Sequence, residues 1–286
     1  MKNFLKLSIL LPMLVVPLIA NAVSADDEKK STFNFSPSIG MTLNSTKNMG
    51  ITSISYQWLA TVNADYNYTG KKFDFRTTLF ATYGQSKTSG QPVQTLQNSI
   101  ILSLTPSVII IKHPAIRLFL ETTGETFLRK ATLNNQPVAL FDPLFLYQTL
   151  FVGQKHYSHQ GKENTNWNLT YGLGYSFQQT FNKEFQTQGN INGSLSDFES
   201  GFSGIIDFNI STPVSKDVSF NLDFKALALS RGNLFKEFNT SRKSVLLRSG
   251  FFYKQIGLEY NYHLVYDLNI SSTVMINHSL MVTLRF

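Results

Sequence analysis

Apolar and polar residues alternate along almost the whole chain, and this predicts an all-β protein: an antiparallel, up-and-down transmembrane β-barrel of about 12 strands. Three observations carry the expectation. The apolar side chains recur with period two, which on a strand places them on one face. The alternating segments reach 12 to 17 residues. Soluble strands usually stop at about five or six, whereas a tilted membrane strand needs roughly nine to eleven to cross the hydrocarbon. Finally, the strand charges share one phase, opposite the apolar one.

The chain opens on MKNFLKLSILLPMLVVPLIANAVSA, with Lys2 and Lys6 ahead of an apolar run and small residues at Ala20, Ala22 and Ala25. That order is a secretory signal, residues 1–25, cleaved after Ala22 or Ala25. The run from Leu7 to Ala20 is broken by Pro12 and Pro17 and falls short of the roughly twenty residues of a spanning helix. A charged stub, residues 26–31, follows, and the barrel occupies 32–286.

The first strand segment, residues 32–44, puts Phe33, Phe35, Pro37, Ile39, Met41 and Leu43 on one face and Thr, Asn, Ser and Gly on the other. In the second, 52–68, the face is Ile54, Tyr56, Trp58, Ala60, Val62, Ala64, Tyr66 and Tyr68. Ten more follow at 73–86, 96–110, 115–128, 143–154, 166–178, 199–210, 218–229, 244–253, 256–267 and 273–286. Pro37 and Pro106 each remove a ladder donor, so bulges or barrel-end positions are expected there. Short connections at 70–72, 112–115, 212–217 and 254–255 interleave with longer ones at 87–95, 129–142, 179–198 and 230–243. Short turns at one end and long loops at the other suit a membrane barrel, as do Tyr56 and Trp58 near one end of their strand and Tyr66 and Tyr68 near the other.

Asp65, Asp74, Arg76, Arg117, Glu121, Asp207, Asp223, Lys225, Arg248 and Glu259 form the charged phase. A soluble sandwich tolerates charges on a wet face too. Strand length, and a polar face rich in Ser, Thr, Asn and Gly, favour the membrane barrel with these charges in its lumen. Charged residues are only 15% of the chain, against roughly 25% in an ordinary soluble domain. There is no cysteine, so folding rests on packing and strand pairing without disulfides or thiolate metal sites. The formal charge is +7, and loss of Lys2 and Lys6 with the signal leaves +5. This suits anionic lipid headgroups. No basic run or aromatic-basic motif indicates nucleic acid, and no cofactor motif is evident.

With its signal, its alternating strands and a last strand ending on Phe286, the chain resembles bacterial outer-membrane β-barrel proteins. The resemblance implies an outer-membrane address reached through the periplasm. It also implies that Leu280, Val282, Leu284 and Phe286 form the signal read by the barrel-insertion machinery, with outer-membrane lipid as the other partner.

One stretch carries candidate chemistry. In LFVGQKHYSHQGKENTNWN, residues 150–168, the positions Gly153, His156, Ser158, Gly161, Trp167 and Asn168 resemble the motif region of outer-membrane phospholipase A. A similar His-x-Ser occurs in outer-membrane lipid A deacylases, and both families hydrolyse acyl esters. Residues two apart on a strand share a face, so His156 would take the proton of Ser158 while Asn168 holds the imidazole. Here His159 follows the serine, and Leu169, Tyr171 and Leu173 set an outward phase that turns Asn168 inward. The trio therefore shares a face only through a bulge, and strand count puts this connection on the periplasmic side. His156 and His159 lack a third, acidic ligand at a recognisable spacing, so no metal site is expected.

Two functional classes follow. The first is a non-enzymatic barrel: structural, a narrow pore, or surface-binding. The second is a lipid acyl hydrolase using Ser158, His156 and Asn168. A barrel of this size lies between filled eight-stranded and open sixteen-stranded ones. Opposite charges close together on the same or neighbouring strands (Asp74 with Arg76, and Asp223 and Asp207 with Lys225) favour a narrow or occluded lumen.

Overall fold

A computed structural model describes residues 30–48, 51–112, 115–133, 136–157, 165–184, 198–229, 242–266 and 275–285. These residues form fourteen strands: β1 (Lys30–Asn48), β2 (Ile51–Thr69), β3 (Phe73–Thr88), β4 (Gln94–Ile111), β5 (Ile116–Thr126), β6 (Ala131–Leu133), β7 (Gln136–Val138), β8 (Leu144–Tyr157), β9 (Asn166–Phe181), β10 (Phe198–Pro213), β11 (Val218–Leu229), β12 (Arg242–Tyr253), β13 (Ile256–Tyr266) and β14 (Met275–Arg285). All but β6 and β7 close into one antiparallel ring in which each strand pairs with its sequence neighbours in the ring. The twelve-stranded barrel is therefore as the alternation predicts. β14 meets β1 over Ser38↔Arg285 to Met41↔Val282, and this short seam completes the ring.

Closure matters because it joins the two end strands of the sheet, here over the four residue pairs of the β1–β14 seam. The period-two pattern then divides side chains between inside and outside. Phe33, Met41, Phe202, Leu280 and Val282 are exposed on the outer wall, and Leu173 is 76% exposed. Phe145, Phe151 and Thr283, by contrast, are almost completely enclosed. At one end of the outer wall Trp58 meets Tyr83 edge-on with centroids 5.6 Å apart, and at the other Tyr66 lies 6.3 Å from Phe75.

The two prolines do not bend the ladder. Pro37 pairs with Val62 in an unbroken β1–β2 register and lies just beyond the β1–β14 seam. Pro106 occupies a gap in the β4–β5 ladder, which stops at Leu104↔Thr122 and resumes at Ser107↔Phe119 in the same register. In each case the missing N–H falls where one ladder is open anyway. The register shifts occur instead at Gly84/Gln85 and Ile109/Ile111.

The hairpin β6–β7 interrupts what the sequence presents as a plain 129–142 connection. Strands of three residues are too short to show period two. Val138, only 3% exposed, packs with Phe145 and Tyr147 of β8, and Phe127 and Ala131 complete the cluster. Phe145 pairs with Glu125 and so shares its inner face. The hairpin is thus folded against the barrel interior at the end that bears the long connections.

A second inner cluster brings Phe119 and Phe151 into a parallel stack at 4.6 Å, against Ile205 and Leu227. Glycines on β9 make room for it. A Cβ at Gly174 would lie 2.2 Å from the Leu150 carbonyl oxygen and 2.5 Å from the Phe151 Cβ. Overpacking of this kind costs about 1–3 kcal/mol, so Gly174→Ala is expected to reduce the yield of heat-resistant folded barrel on cold gel electrophoresis. Gly204→Ala, whose Cβ meets Leu173 at an ordinary 3.5 Å, should migrate as wild type.

Candidate functional site: a charge-bridged interior

The inward charges reach across the barrel rather than along its wall. Arg76 on β3 donates from one guanidinium nitrogen to Asp65 of neighbouring β2 at 3.1 Å and from the other to Asp207 of β10 at 3.2 Å. β3 and β10 are not adjacent in the ring, so this clamp spans the lumen. Lys225 of β11 joins Glu121 of β5 at 2.7 Å, another crossing. Arg248 of β12 pairs with Asp223 of adjacent β11 at 3.3 Å and donates to Asn63 of β2 across the interior. Long flexible arms permit such bridges, and a closed wall supplies facing partners on every side.

Toward the short-turn end, Asp74 accepts from Arg117 at 2.8 Å and from Lys155 at 3.4 Å. Toward the hairpin end, Arg242 joins Glu125 at 2.9 Å, donates to the Tyr147 hydroxyl, and places its guanidinium carbon 4.1 Å above the Tyr147 ring. Glu259 is buried and accepts from Asn261 at 3.0 Å.

The pairing expected from sequence is corrected in detail. Asp74 bonds Arg117 and Lys155 instead of Arg76, and the ion pair of Lys225 is with Glu121 instead of Asp223, while Asp207 stands directly opposite Lys225 on β10. Residues two apart on one strand project in parallel, so their head groups reach further apart than groups facing each other over the lumen. Lys155, Glu125 and Arg242 complete the set and were missed by the sequence reading. Lys155 and Arg242 lie just outside the segments 143–154 and 244–253, although each continues the inward parity of its strand. Glu125 is on the inward phase of 115–128, and extending the parity count to it would have found it.

Of the candidate hydrolase residues, His156 and Asn168 are described, and they lie on opposite faces of the sheet. The β8–β9 ladder runs without a shift through Lys155↔Thr170, His156↔Leu169 and Tyr157↔Asn168. Cross-strand partners share a face; His156 therefore faces out with Leu169, while Asn168 faces the other way. The His156 ring stacks on Tyr171 with centroids 5.8 Å apart and lies 3.2 Å from Gln154 Oε1. Ser158 and His159 lie outside the described residues, as does Phe286. Leu280, Val282 and Leu284 line up on the exposed face of β14. Among the described residues no group of three His, Cys, Asp or Glu is placed to hold a metal.

No protein-family model matches this chain, and no curated protein does. Among solved structures it is similar to the translocator domain of the autotransporter NalP from Neisseria meningitidis, at 12% identity over 96% of this chain and 94% of that one, with a TM-score of 0.35. It is also similar to an outer membrane channel from Pseudomonas putida F1, at 9% identity over 90% of this chain and 95% of that one, with a TM-score of 0.38. The beta domain of the Bordetella autotransporter BrkA gives 10% identity over 91% and 99%, with a TM-score of 0.31. What the chain itself shows is a closed, twelve-stranded antiparallel barrel, apolar outside and bridged by ion pairs within.

Proposed function

We propose that this chain is an integral, non-enzymatic protein of the bacterial outer membrane, whose barrel encloses a narrow passage constricted by ion pairs and partly covered by the β6–β7 hairpin. The observation that carries the reading is the outer wall. Large apolar side chains stand exposed on β1, β4, β9, β10, β12, β13 and β14 alike. Soluble monomers rarely expose contiguous apolar patches beyond a few hundred Å². Moving one such leucine or phenylalanine from water into an apolar medium gains about 1.5–3 kcal/mol. Repeated around the ring, that gain exceeds the roughly 5–15 kcal/mol by which a typical domain is stable at all.

Strands of 11 to 19 residues are long enough for a tilted crossing. The expected signal at 1–25 would export the chain to the periplasm, and the exposed face of Leu280, Val282 and Leu284 would be read by the insertion machinery. On this reading the first residues of β1 lie on the periplasmic side and the hairpin faces outward from the cell.

Purified protein is expected to require detergent and, in planar lipid bilayers, to give small, discrete conductance steps that Ser158→Ala leaves unchanged. The same preparation should hydrolyse phospholipid no faster than that variant. A monodisperse monomer in detergent-free buffer would overturn the reading, and so would bilayers that stay silent at protein levels where insertion is demonstrated.

A further inference from the structure

Between the hairpin and the charged bridges lies a chamber of about 200 Å³, which shares Phe80, Glu125, Leu246 and His263 with a second space of about 140 Å³ among the ion pairs. Its walls differ in chemistry from the waist below. Leu59, Phe80, Leu246 and Val265 come from the barrel, and Phe127 and Val138 close it from the hairpin side. Polar side chains share the lining, among them Thr82, Thr95, Gln97, Ser99, Asn261 and His263. Thr82 donates to Gln97 Oε1 at 2.9 Å, which turns the Gln97 amide nitrogen away from the threonine, and His263 faces the same space. The carboxylate of Glu125 is already held by Arg242 at 2.9 Å.

We propose that this chamber is a binding site for a small uncharged molecule with a single-ring or branched aliphatic body and one hydrogen-bonding group. Size sets the first limit, since cavities of about 150 Å³ hold benzene. Charge sets the second. A charged ligand would give up its water for apolar walls and find the neighbouring ion already paired, a transfer that is costly without a partner. The polar edge then fixes orientation: the body lies on Phe80 and Leu246 while a hydroxyl or carbonyl meets Gln97, Thr82 or His263. An enclosure whose surface is mostly apolar, with polar groups set into it, is the usual form of a small-molecule site. Occupancy of the chamber does not depend on conduction, so the inference goes beyond the passage proposed above and fails separately from it.

The test uses 4-fluorobenzyl alcohol, observed by fluorine NMR, titrated into the full-length protein in detergent micelles, with empty micelles as the blank. Saturable binding is expected, not displaced by benzoate or benzylammonium but displaced by unlabelled benzyl alcohol. Gln97→Ala should weaken binding about threefold to tenfold, the worth of one hydrogen bond. Leu246→Trp fills the chamber from the wall and should abolish the saturable signal. Should that variant fail to assemble, Ala131→Trp fills it from the hairpin side, and heat-resistant migration on cold gels reports the fold of each. Three results overturn the proposal: no saturable signal above empty micelles, equal displacement by the charged competitors, or unchanged binding in a folded, filled variant.

Discussion

Replacing Asp74 with alanine is expected to cost about 3–5 kcal/mol of barrel stability, the usual consequence of leaving a buried ion without its partner. Asp74 is 3% exposed, and its Oδ2 receives both Arg117 at 2.8 Å and Lys155 at 3.4 Å. The Arg117 side chain is 6% exposed, with a weak 3.4 Å contact to Ser107 as its other bond. Deleting the carboxylate therefore leaves two cations facing each other in a desolvated corner. Lys155, at 19%, is better placed to turn toward water, so most of the cost falls on Arg117. Asp74→Asn keeps the shape and removes the charge, and it should cost nearly as much as alanine. Combining Asp74→Ala with Arg117→Met should recover most of the loss, because replacing a buried pair by apolar groups of similar size is often neutral. Urea unfolding in micelles, followed by near-ultraviolet circular dichroism, measures all of these. An Asp74→Ala midpoint equal to wild type would show that water already screens this corner.

The triad at Asp74 illustrates what the sequence carries and what it does not. That Asp74 and Arg117 face inward is local information, since the parity of a strand is written in its own residues and is the same for the ten charges assigned to the lumen from sequence. Which cation meets which carboxylate is not local. Arg76 sits two residues from Asp74, yet its partners are fixed by ring closure, which brings β10 opposite β3. Lys155 was lost to a boundary one residue early, where alternation fades into the connection around 158. The separation of His156 from Asn168 was legible in the same local way: the outward phase of Leu169, Tyr171 and Leu173 turns Asn168 inward, and the uninterrupted β8–β9 register keeps it there. A motif read along the chain cannot override the parity of the strand that holds it. The hairpin at 131–138 was invisible for a third reason. Its placement rests on tertiary contacts of Val138 with Phe145 and Tyr147, not on any period of its own.

In the proposed passage the hairpin and the charged waist would be two constrictions in series, and this predicts how conductance should respond to removing each. The hairpin is tied down firmly. The Asn98 side chain donates to the Arg129 carbonyl at 2.6 Å and accepts from the Leu128 and Arg129 amides at 3.0 and 2.9 Å. The Thr126 hydroxyl accepts from the Phe141 amide at 2.8 Å, and Asp142 accepts from the amides of Lys183 and Glu184 at 2.9 Å each. These anchors lie outside the hairpin proper, so exchanging residues 130–140 for a short Gly-Ser linker should preserve the barrel. In a series path the narrower element sets the current. Arg76, clamped between Asp65 and Asp207, crosses the lumen at the waist. Linker exchange alone is therefore expected to change single-channel conductance little. Arg76→Ser with Asp207→Asn, which removes both ends of the crossing and strands only the partly exposed Asp65, should raise it several-fold. Both changes together should exceed the product of the two separate effects, because each removes the limit that hides the other. Recordings in planar bilayers at one salt concentration decide it. A fully open conductance from the linker exchange alone would mean that the bridges yield to ions and that the hairpin is the true barrier.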